Sequence, residues 1–354
     1  MNHFEKIAAR LKDRGLDAML ITSEPGEFYA MGFHGEGAAL ITPDKTWYYT
    51  DSRYIEAARQ LIAGAEVADW APGGGFRKLI AGLVKEHGVA KLGFEERYMS
   101  VADHTEWTKA VEAEFVPASE LLTQLRQVKD ADELAAMREA QRITDEALLE
   151  ILNFLKPGLT ESEVAARLTY IMARKGAERN SFDPIVACGP NGSKPHAVPG
   201  PNLIEKGQFV TMDFGCVVGG YCSDMTRTVA IGQPTEEMEL VYNTVLKAQL
   251  AGIAVARAGV TGKEVHQAGA KVIADAGYGD YFGHGFGHSL GIEIHEDPGF
   301  HNRNDKPIPA GALLSAEPGI YLPGRFGVRI EDVIMLTEEG CVDITRSPKQ
   351  LIIL

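Results

Sequence analysis

Lys206-Gly207-Gln208-Phe209-Val210-Thr211-Met212-Asp213-Phe214-Gly215 and Ala310-Gly311-Ala312-Leu313-Leu314-Ser315-Ala316-Glu317-Pro318-Gly319 follow one pattern: a glycine turn, a strand, a carboxylate and a second glycine. A matching pair lies upstream of each, in the same order. Gly158-Leu159-Thr160-Glu161-Ser162-Glu163-Val164 reappears as Gly259-Val260-Thr261-Gly262-Lys263-Glu264-Val265. Each copy is a Thr-x-x-Glu capping box opening a helix that ends near a glycine, Gly176 or Gly277. Capping boxes alone are common, but two matches in one order mark a duplicated helix-then-hairpin unit. The expectation is two halves facing each other across a pseudo-twofold axis, each delivering acids to a shared centre.

The hairpins specify which acids meet. In the first, Phe209 to Val218 is followed by Tyr221 to Ile231, with Gly219-Gly220 as the turn signal. A turn centred between Val218 and Gly219 sets Asp213 opposite Asp224; one centred on the two glycines makes them diagonal neighbours. Period-2 alternation puts both on one face in either case. In the second, Glu317 and Glu331 are equidistant from Gly324, within the turn Pro323-Gly324-Arg325, and are expected to face one another. Two like charges about 4 Å apart repel by roughly 4 kcal/mol at an effective dielectric of about 20. Four converging carboxylates therefore require protons or cations, and divalent metal is the natural compensation. Singly, each acid reads as a solvated strand-end or turn carboxylate; matched positions in a duplicated frame argue otherwise.

His284-Gly285-Phe286-Gly287-His288 has the spacing of a helical zinc motif, but its glycines disfavour a helix and the central glutamate of such motifs is missing. A strand is predicted instead, with His284, Phe286 and His288 on one face, one imidazole serving as a metal ligand and the other reaching a substrate. His295 follows in Gly291-Ile292-Glu293-Ile294-His295-Glu296. His196 lies in the Pro- and Gly-rich loop Asn191-Gly192-Ser193-Lys194-Pro195-His196-Ala197-Val198-Pro199.

The chain has 354 residues, and at roughly 100 to 200 residues per domain two domains are expected, placed at 1–127 and 128–354. The first alternates short apolar runs with helical patterns. A helix is predicted over Lys6–Arg14, strands over Ala18–Thr22, Ala38–Thr42 and Trp47–Thr50, and helices after Asp51, Gly75 and Ser100. The loop Met31-Gly32-Phe33-His34-Gly35-Glu36-Gly37 fits no phosphate-binding pattern and is expected to be structural or to border a cleft. After Gln127 a helical stripe runs over Glu133–Leu155 and stops at Pro157-Gly158. With 45% hydrophobic and 24% charged residues, the composition is that of a globular protein. The formal net charge of -14 disfavours nucleic acid and anionic lipid as partners. No apolar run reaches the roughly 18 residues of a membrane span, and Met1-Asn2-His3-Phe4-Glu5-Lys6 lacks the apolar core of a signal peptide. Cys188, Cys216, Cys222 and Cys341 form no C-x-x-C pair and read as reduced, which fits the cytoplasm.

Asp213, Asp224, His288 within His284-Gly285-Phe286-Gly287-His288-Ser289-Leu290-Gly291, Glu317 within Glu317-Pro318-Gly319 and Glu331 within Val328-Arg329-Ile330-Glu331-Asp332 resemble the pita-bread metallopeptidases. The similar branch is that of the Xaa-Pro dipeptidases (prolidases) and Xaa-Pro aminopeptidases (aminopeptidase P). The likeness spans nearly the whole chain, with Tyr49-Thr50-Asp51-Ser52-Arg53-Tyr54 as the signature of a creatinase-type N-terminal domain. It implies an α+β fold, a creatinase-type α/β N-terminal domain followed by a pseudo-twofold duplicated pita-bread catalytic domain. It also implies two divalent ions per chain, one on Asp213, the other on His288 and Glu317, with Asp224 and Glu331 bridging them. A water activated between the ions would attack the scissile carbonyl. Glu317 would shuttle the proton, and His284, His295 and His196 would hydrogen-bond the substrate and the tetrahedral intermediate. Arg329 would steady the carboxylates or the substrate. Four carboxylates and one histidine form a hard ligand set that favours manganese or cobalt, with zinc and iron left open.

The implied reaction is hydrolysis of the bond between an N-terminal residue and proline, in Xaa-Pro dipeptides or Xaa-Pro-Yaa peptides, by a homodimer or larger homo-oligomer. Some prolidases hold the dipeptide carboxylate with an arginine four residues beyond the histidine matching His295; here that residue is Gly299. Either Arg303 or Arg325 replaces it, or longer peptides are admitted. Two alternatives stand beside this reading. A methionine aminopeptidase-like exopeptidase shares the catalytic domain without an N-terminal domain of this kind. A metal-free relative, acting as an amidinohydrolase or a protein-binding module, is expected to lack several of the five ligands.

Overall fold

The computed structural model describes residues 3–354, which separate into two compact units, one ending at Arg126 and the other spanning Gln127–Leu354. The first is built on a mixed six-stranded sheet in the order Glu66–Asp69, Thr46–Thr50, Ala38–Ile41, Ala18–Ile21, Lys91–Phe94, Glu114–Pro117. Its central strands Ala18–Ile21 and Ala38–Ile41 are buried along their whole length, so they read as continuous apolar runs. Helices occupy Ile55–Leu61, Phe76–Glu86 and Val101–Ala110, as the sequence predicted. The first helix starts earlier than expected, at His3, and after Leu11 tightens into a 3₁₀ turn over Lys12–Arg14 that Gly15 ends at φ 64°. The Met31–Gly37 loop is held from beneath. Buried Glu27 accepts the N–H groups of Gly35 (3.2 Å) and Gly37 (2.9 Å) and the Tyr48 hydroxyl. The loop also borders a cleft of about 570 Å³ through His34, Glu36 and Gly37.

The second unit repeats itself in its hydrogen bonds as well as in its sequence. The helices Ala131–Phe154 and Glu161–Arg174 precede the first ribbon; Glu236–Val255 and Gly262–Asp275 precede the second. Both predicted capping boxes are formed, Thr160 with Glu163 and Thr261 with Glu264. In one half Gly158 N–H donates to Ile204 O (2.8 Å) and Ile204 N–H to Leu159 O (2.8 Å). In the other, Gly259 N–H donates to Ile308 O (2.9 Å) and Ile308 N–H to Val260 O (3.0 Å).

Neither ribbon is the unbroken hairpin that the sequence suggested. Gln208–Phe214 pairs with Met225–Ile231, placing Asp213 against Thr226, and the ribbon resumes beyond a break as Cys216–Val218 against Tyr221–Cys222. Val218 faces Tyr221, so the turn is centred on Gly219-Gly220, and Asp213 and Asp224 are the diagonal neighbours of the two registers considered. Only glycine fits at the break. A Cβ on Gly215 would lie 2.0 Å from the Ser223 carbonyl oxygen and 2.5 Å from Ser181 Oγ. The second ribbon pairs Leu313–Ala316 with Asp332–Leu336 and, in unchanged register, Gly319–Leu322 with Phe326–Arg329. Glu317-Pro318 and Ile330-Glu331 fall in its break, with Glu317 and Glu331 at opposed positions as expected.

Alternation sorts the side chains of these strands. Val210, Met212 and Phe214 join Ile143, Leu148, Leu168 and Ile171 in an apolar core beneath the first ribbon, which leaves Asp213 for the opposite face. Around His284 the prediction needs correction, because only Gly287–Ser289 is strand. The segment before it bends, and Phe286 turns into the core beside Phe300 and Leu314 instead of sharing a face with the histidines. Replacing Gly215 by Ala is expected to destabilise the second unit by about 1–3 kcal/mol or more, a loss of roughly 2–4 °C in Tm per kcal/mol. Gly340→Ala, which points into open space, should stay within about 0.5 kcal/mol of wild type; thermal denaturation followed by circular dichroism reads both.

Candidate metal centre

One cavity of about 590 Å³ within the second unit is lined by every site residue that the sequence nominated: Asp213, Asp224, His288, Glu317, Glu331, His284, His295, His196 and Arg329. At its floor, ligand-type atoms of Asp224, His288 and Glu331 lie within 4.8 Å of one another. His288 Nε2 is 3.5 Å from Asp224 Oδ2 and 3.4 Å from Glu317 Oε1. Its Nδ1 sits 3.2 Å from Ser289 O, so the proton belongs on Nδ1 and the Nε2 lone pair faces the acids. Asp213 Oδ2 accepts from Arg329 Nη2 at 2.6 Å, and Glu331 Oε2 accepts from Thr226 Oγ1 at 2.7 Å. The remaining oxygens, Asp213 Oδ1 and Glu331 Oε1, are buried without a hydrogen-bond partner, as is Asp224 Oδ1. Buried acceptors are rarely left so. Orphaned carboxylate oxygens on Asp224 and Glu331 beside the His288 imidazole, with a third on Asp213 lining the same cavity, are the donor set that a hard divalent cation satisfies.

Metallopeptidase family M24 matches residues 135–338, and the creatinase/prolidase N-terminal domain matches residues 4–128. The chain is a member of metallopeptidase family M24. This M24 chain is 44% identical over 352 residues to the uncharacterized peptidase YqhT of Bacillus subtilis (strain 168), covering 99% of both chains. It is also similar to the solved structure of an Xaa-Pro dipeptidase from Bacillus anthracis, with 42% identity, a TM-score of 0.96 and 99% of each chain covered. An X-Pro aminopeptidase from Thermotoga maritima MSB8 superposes with a TM-score of 0.92 at 35% identity, covering 98% of this chain and all of that one. The α+β reading is thereby established, a creatinase-type domain followed by a pita-bread domain.

The geometry of this M24 site also names residues that sequence reasoning passed over. Arg329 Nη1 donates to the Tyr321 hydroxyl (2.8 Å) and to Pro195 O (3.2 Å), while Nε donates to Thr226 Oγ1 (3.0 Å). Tyr321 in turn lies 3.0 Å from His284 Nε2, and His284 Nδ1 lies 2.7 Å from Gly285 O. Both ring nitrogens of His284 are thus engaged inside the protein. Ser315 Oγ joins the His288 amide (3.0 Å) to Glu317 Oε1 (3.1 Å). Tyr321 was within reach of the hairpin register, since Arg329 pairs with Gly319 and Tyr321 is two residues further along the same strand. Arg303 lines the cavity. Arg325 is instead committed to Glu237 on the surface, so it is no stand-in for the missing arginine. His301, also in the lining, occupies the space a side chain at 299 would need: a Cβ there would meet its Cδ2 at 2.8 Å.

Electrostatics favours the same ligand set. Burial, then the charges of Glu331, Asp213 and Glu317, push the Asp224 carboxyl well above the usual carboxylate range. Glu331 is raised by burial and by Glu317 and Asp213, and Glu317 is raised mainly by burial. Burial lowers His288 and His284, and burial followed by His288 lowers His295. Neutral imidazoles are what metal binding requires, whereas protonated acids must give up their protons to it. Mn²⁺ added to chelator-stripped protein should therefore release protons, and its apparent affinity should climb as the pH rises above the ordinary carboxylate range, where Asp224 and Glu331 still hold their protons in the metal-free protein. Isothermal titration in buffers of different ionisation enthalpy measures this; a pH-independent affinity without proton release would contradict the assignment.

Proposed function

We propose that this chain is a dinuclear-metal exopeptidase that hydrolyses the bond between an N-terminal residue and proline, in Xaa-Pro dipeptides or Xaa-Pro-Yaa peptides. The observation that carries the reading is the set of orphaned buried oxygens on Asp213, Asp224 and Glu331 in one cavity, with His288 Nε2 turned toward the Asp224 and Glu317 carboxylates. The substrate class is supported by relatives named as Xaa-Pro dipeptidase and X-Pro aminopeptidase. In this reading Asp213, Asp224, His288, Glu317 and Glu331 would hold the ions. Manganese or cobalt suits this oxygen-rich set, and zinc or iron follow. Bound ions would supply Lewis acidity and a water ionised near neutral pH.

The chain's own groups do the rest. Glu317, partly buried and with its carboxyl raised mainly by desolvation, is suited to accept a proton from the attacking water and return it to the leaving nitrogen. His295, whose ring centroid is 4.4 Å from that of His288, and His196, in the same cavity lining, would donate hydrogen bonds to the substrate and the oxyanion. For His284 the same role requires the Tyr321 hydroxyl to release its Nε2. Arg329 steadies Asp213 by its ion pair. Domain limits of 1–127 and 128–354, a homo-oligomeric assembly and a cytoplasmic setting complete the proposal. The last is supported by four unpaired thiols, three of them buried. Among the described residues no helix is long and apolar enough to cross a membrane.

A metal-reconstituted assay should show cleavage of Xaa-Pro or Xaa-Pro-Yaa peptides and leave Met-Ala-Yaa intact; cleavage of the last alone would overturn the substrate reading. Asp224→Asn should retain the fold and lose more than the roughly 10- to 100-fold in activity that an outer hydrogen-bond partner of a ligand costs. Near-wild-type turnover by that variant would remove Asp224 from the centre.

A further inference from the structure

Glu331 lies in the break of the second ribbon, where no ladder partner is available to its backbone, and residues of the first ribbon fix it instead. Its N–H donates to Thr226 O (3.1 Å), and its carboxylate accepts from Thr226 Oγ1. Its carbonyl accepts from Arg227 Nη1 at 2.5 Å. Arg227 is buried, and each of the five N–H groups a guanidinium carries has its own acceptor. Nη1 also donates to Thr226 O (2.9 Å), Nη2 to Ser347 O (2.8 Å) and Asp332 Oδ1 (2.7 Å), and Nε to Pro348 O (2.8 Å). Asp332, fully buried, balances the charge and takes Gln249 Nε2 (2.7 Å) and Lys349 Nζ (2.5 Å) on its other oxygen. This arrangement is the reverse of the one at Arg329, which reaches from the second ribbon to Asp213 on the first. Two buried arginine–aspartate pairs thus cross between the ribbons in opposite directions.

We propose that Arg227 is a positioning residue for the metal centre: by fixing the Glu331 carbonyl within the ribbon break, it sets where the Glu331 carboxylate stands relative to Asp224 and His288. The inference rests on the assignment of Asp224 and Glu331 as metal ligands. Without the guanidinium, the peptide after Glu331 loses the bond to its carbonyl and the side chain swings from a looser hinge. A shift of about half an ångström is enough to spoil a ligand constellation.

The test titrates chelator-stripped wild type, Arg227→Met, Arg227→Lys, Asp145→Asn and Asp224→Asn with Mn²⁺ alone, alongside Tm, kcat and KM. Asp145 accepts from Arg346 N, Ser347 N and Ser347 Oγ on the stretch that Arg227 also holds. Asp145→Asn therefore reports general loosening of that stretch. Arg227→Met is expected to weaken Mn²⁺ binding about 10- to 100-fold, with kcat lowered and KM little changed. Arg227→Lys keeps the charge but not the fork, so an intermediate loss is expected, and it decides the matter if the Met variant does not melt cooperatively. Asp145→Asn should lower Tm and keep wild-type Mn²⁺ affinity. The proposal is overturned if a folded Arg227 variant binds Mn²⁺ as wild type does, or if Asp145→Asn loses as much affinity. Asp224→Asn separates the two readings: wild-type Mn²⁺ binding there sinks the ligand assignment itself, whereas its loss with unaffected Arg227 variants sinks only the positioning role.

Discussion

Mutual repulsion among buried carboxylates is the constraint around which the second unit is organised. Asp224 and Glu331 are essentially inaccessible, and beyond burial the charges of Glu331, Asp213 and Glu317 raise Asp224 while those of Glu317 and Asp213 raise Glu331. A fold assembles such groups only if something positive returns the free energy, and a cation bound to the native state but not to the unfolded chain does so by mass action. At a free concentration one hundred times its dissociation constant the gain is about 2.7 kcal/mol. Much of the remaining architecture serves to bring the acids together despite that repulsion.

The device is a ribbon interrupted at the point of use. Both ribbons keep their register across a break, so the strands on either side aim the acids while the break frees the backbone to turn them inward. Glycines at close approaches make this possible: a Cβ on Gly287 would come within 1.9 Å of Ser315 O, and one on Gly327 within 2.0 Å of Gly192 O. Crossed arginine–aspartate pairs and the threonines at 226 and 228 then lock one ribbon to the other, Thr228 Oγ1 donating to Arg329 O at 3.1 Å. Buried ion pairs of this kind contribute little net stability; here they specify a geometry.

Much of this was readable in the residues because the signals were local or repeated. Capping boxes, glycine turns and the symmetric spacing of Glu317 and Glu331 about Gly324 are written in short-range pattern, and duplication let each half support the other. The sequence Val218-Gly219-Gly220 permits two turns for the first hairpin; the structure pairs Val218 with Tyr221, the register in which Gly215 meets Ser223 and Ser181 too closely for any Cβ. Phe286 was misplaced because alternation was extended through a segment that is not strand, and two glycines beside it gave the backbone freedom that a periodic pattern ignores. Arg227 acts through the Glu331 carbonyl more than a hundred residues away, and Ser315 through the His288 amide on another strand, with neither motif nor spacing to mark them; Tyr321 alone is signalled, by the register of its hairpin. Arg325 was attractive by charge alone, and Glu237 on a distant helix had already engaged it.

The most direct measurement is anomalous diffraction at the manganese edge from crystals soaked in Mn²⁺. Two peaks are expected in the cavity, bounded by Asp213, Asp224, His288, Glu317 and Glu331, with Asp224 and Glu331 touching both. An empty map at those side chains in crystals of protein that cleaves peptides would contradict the account.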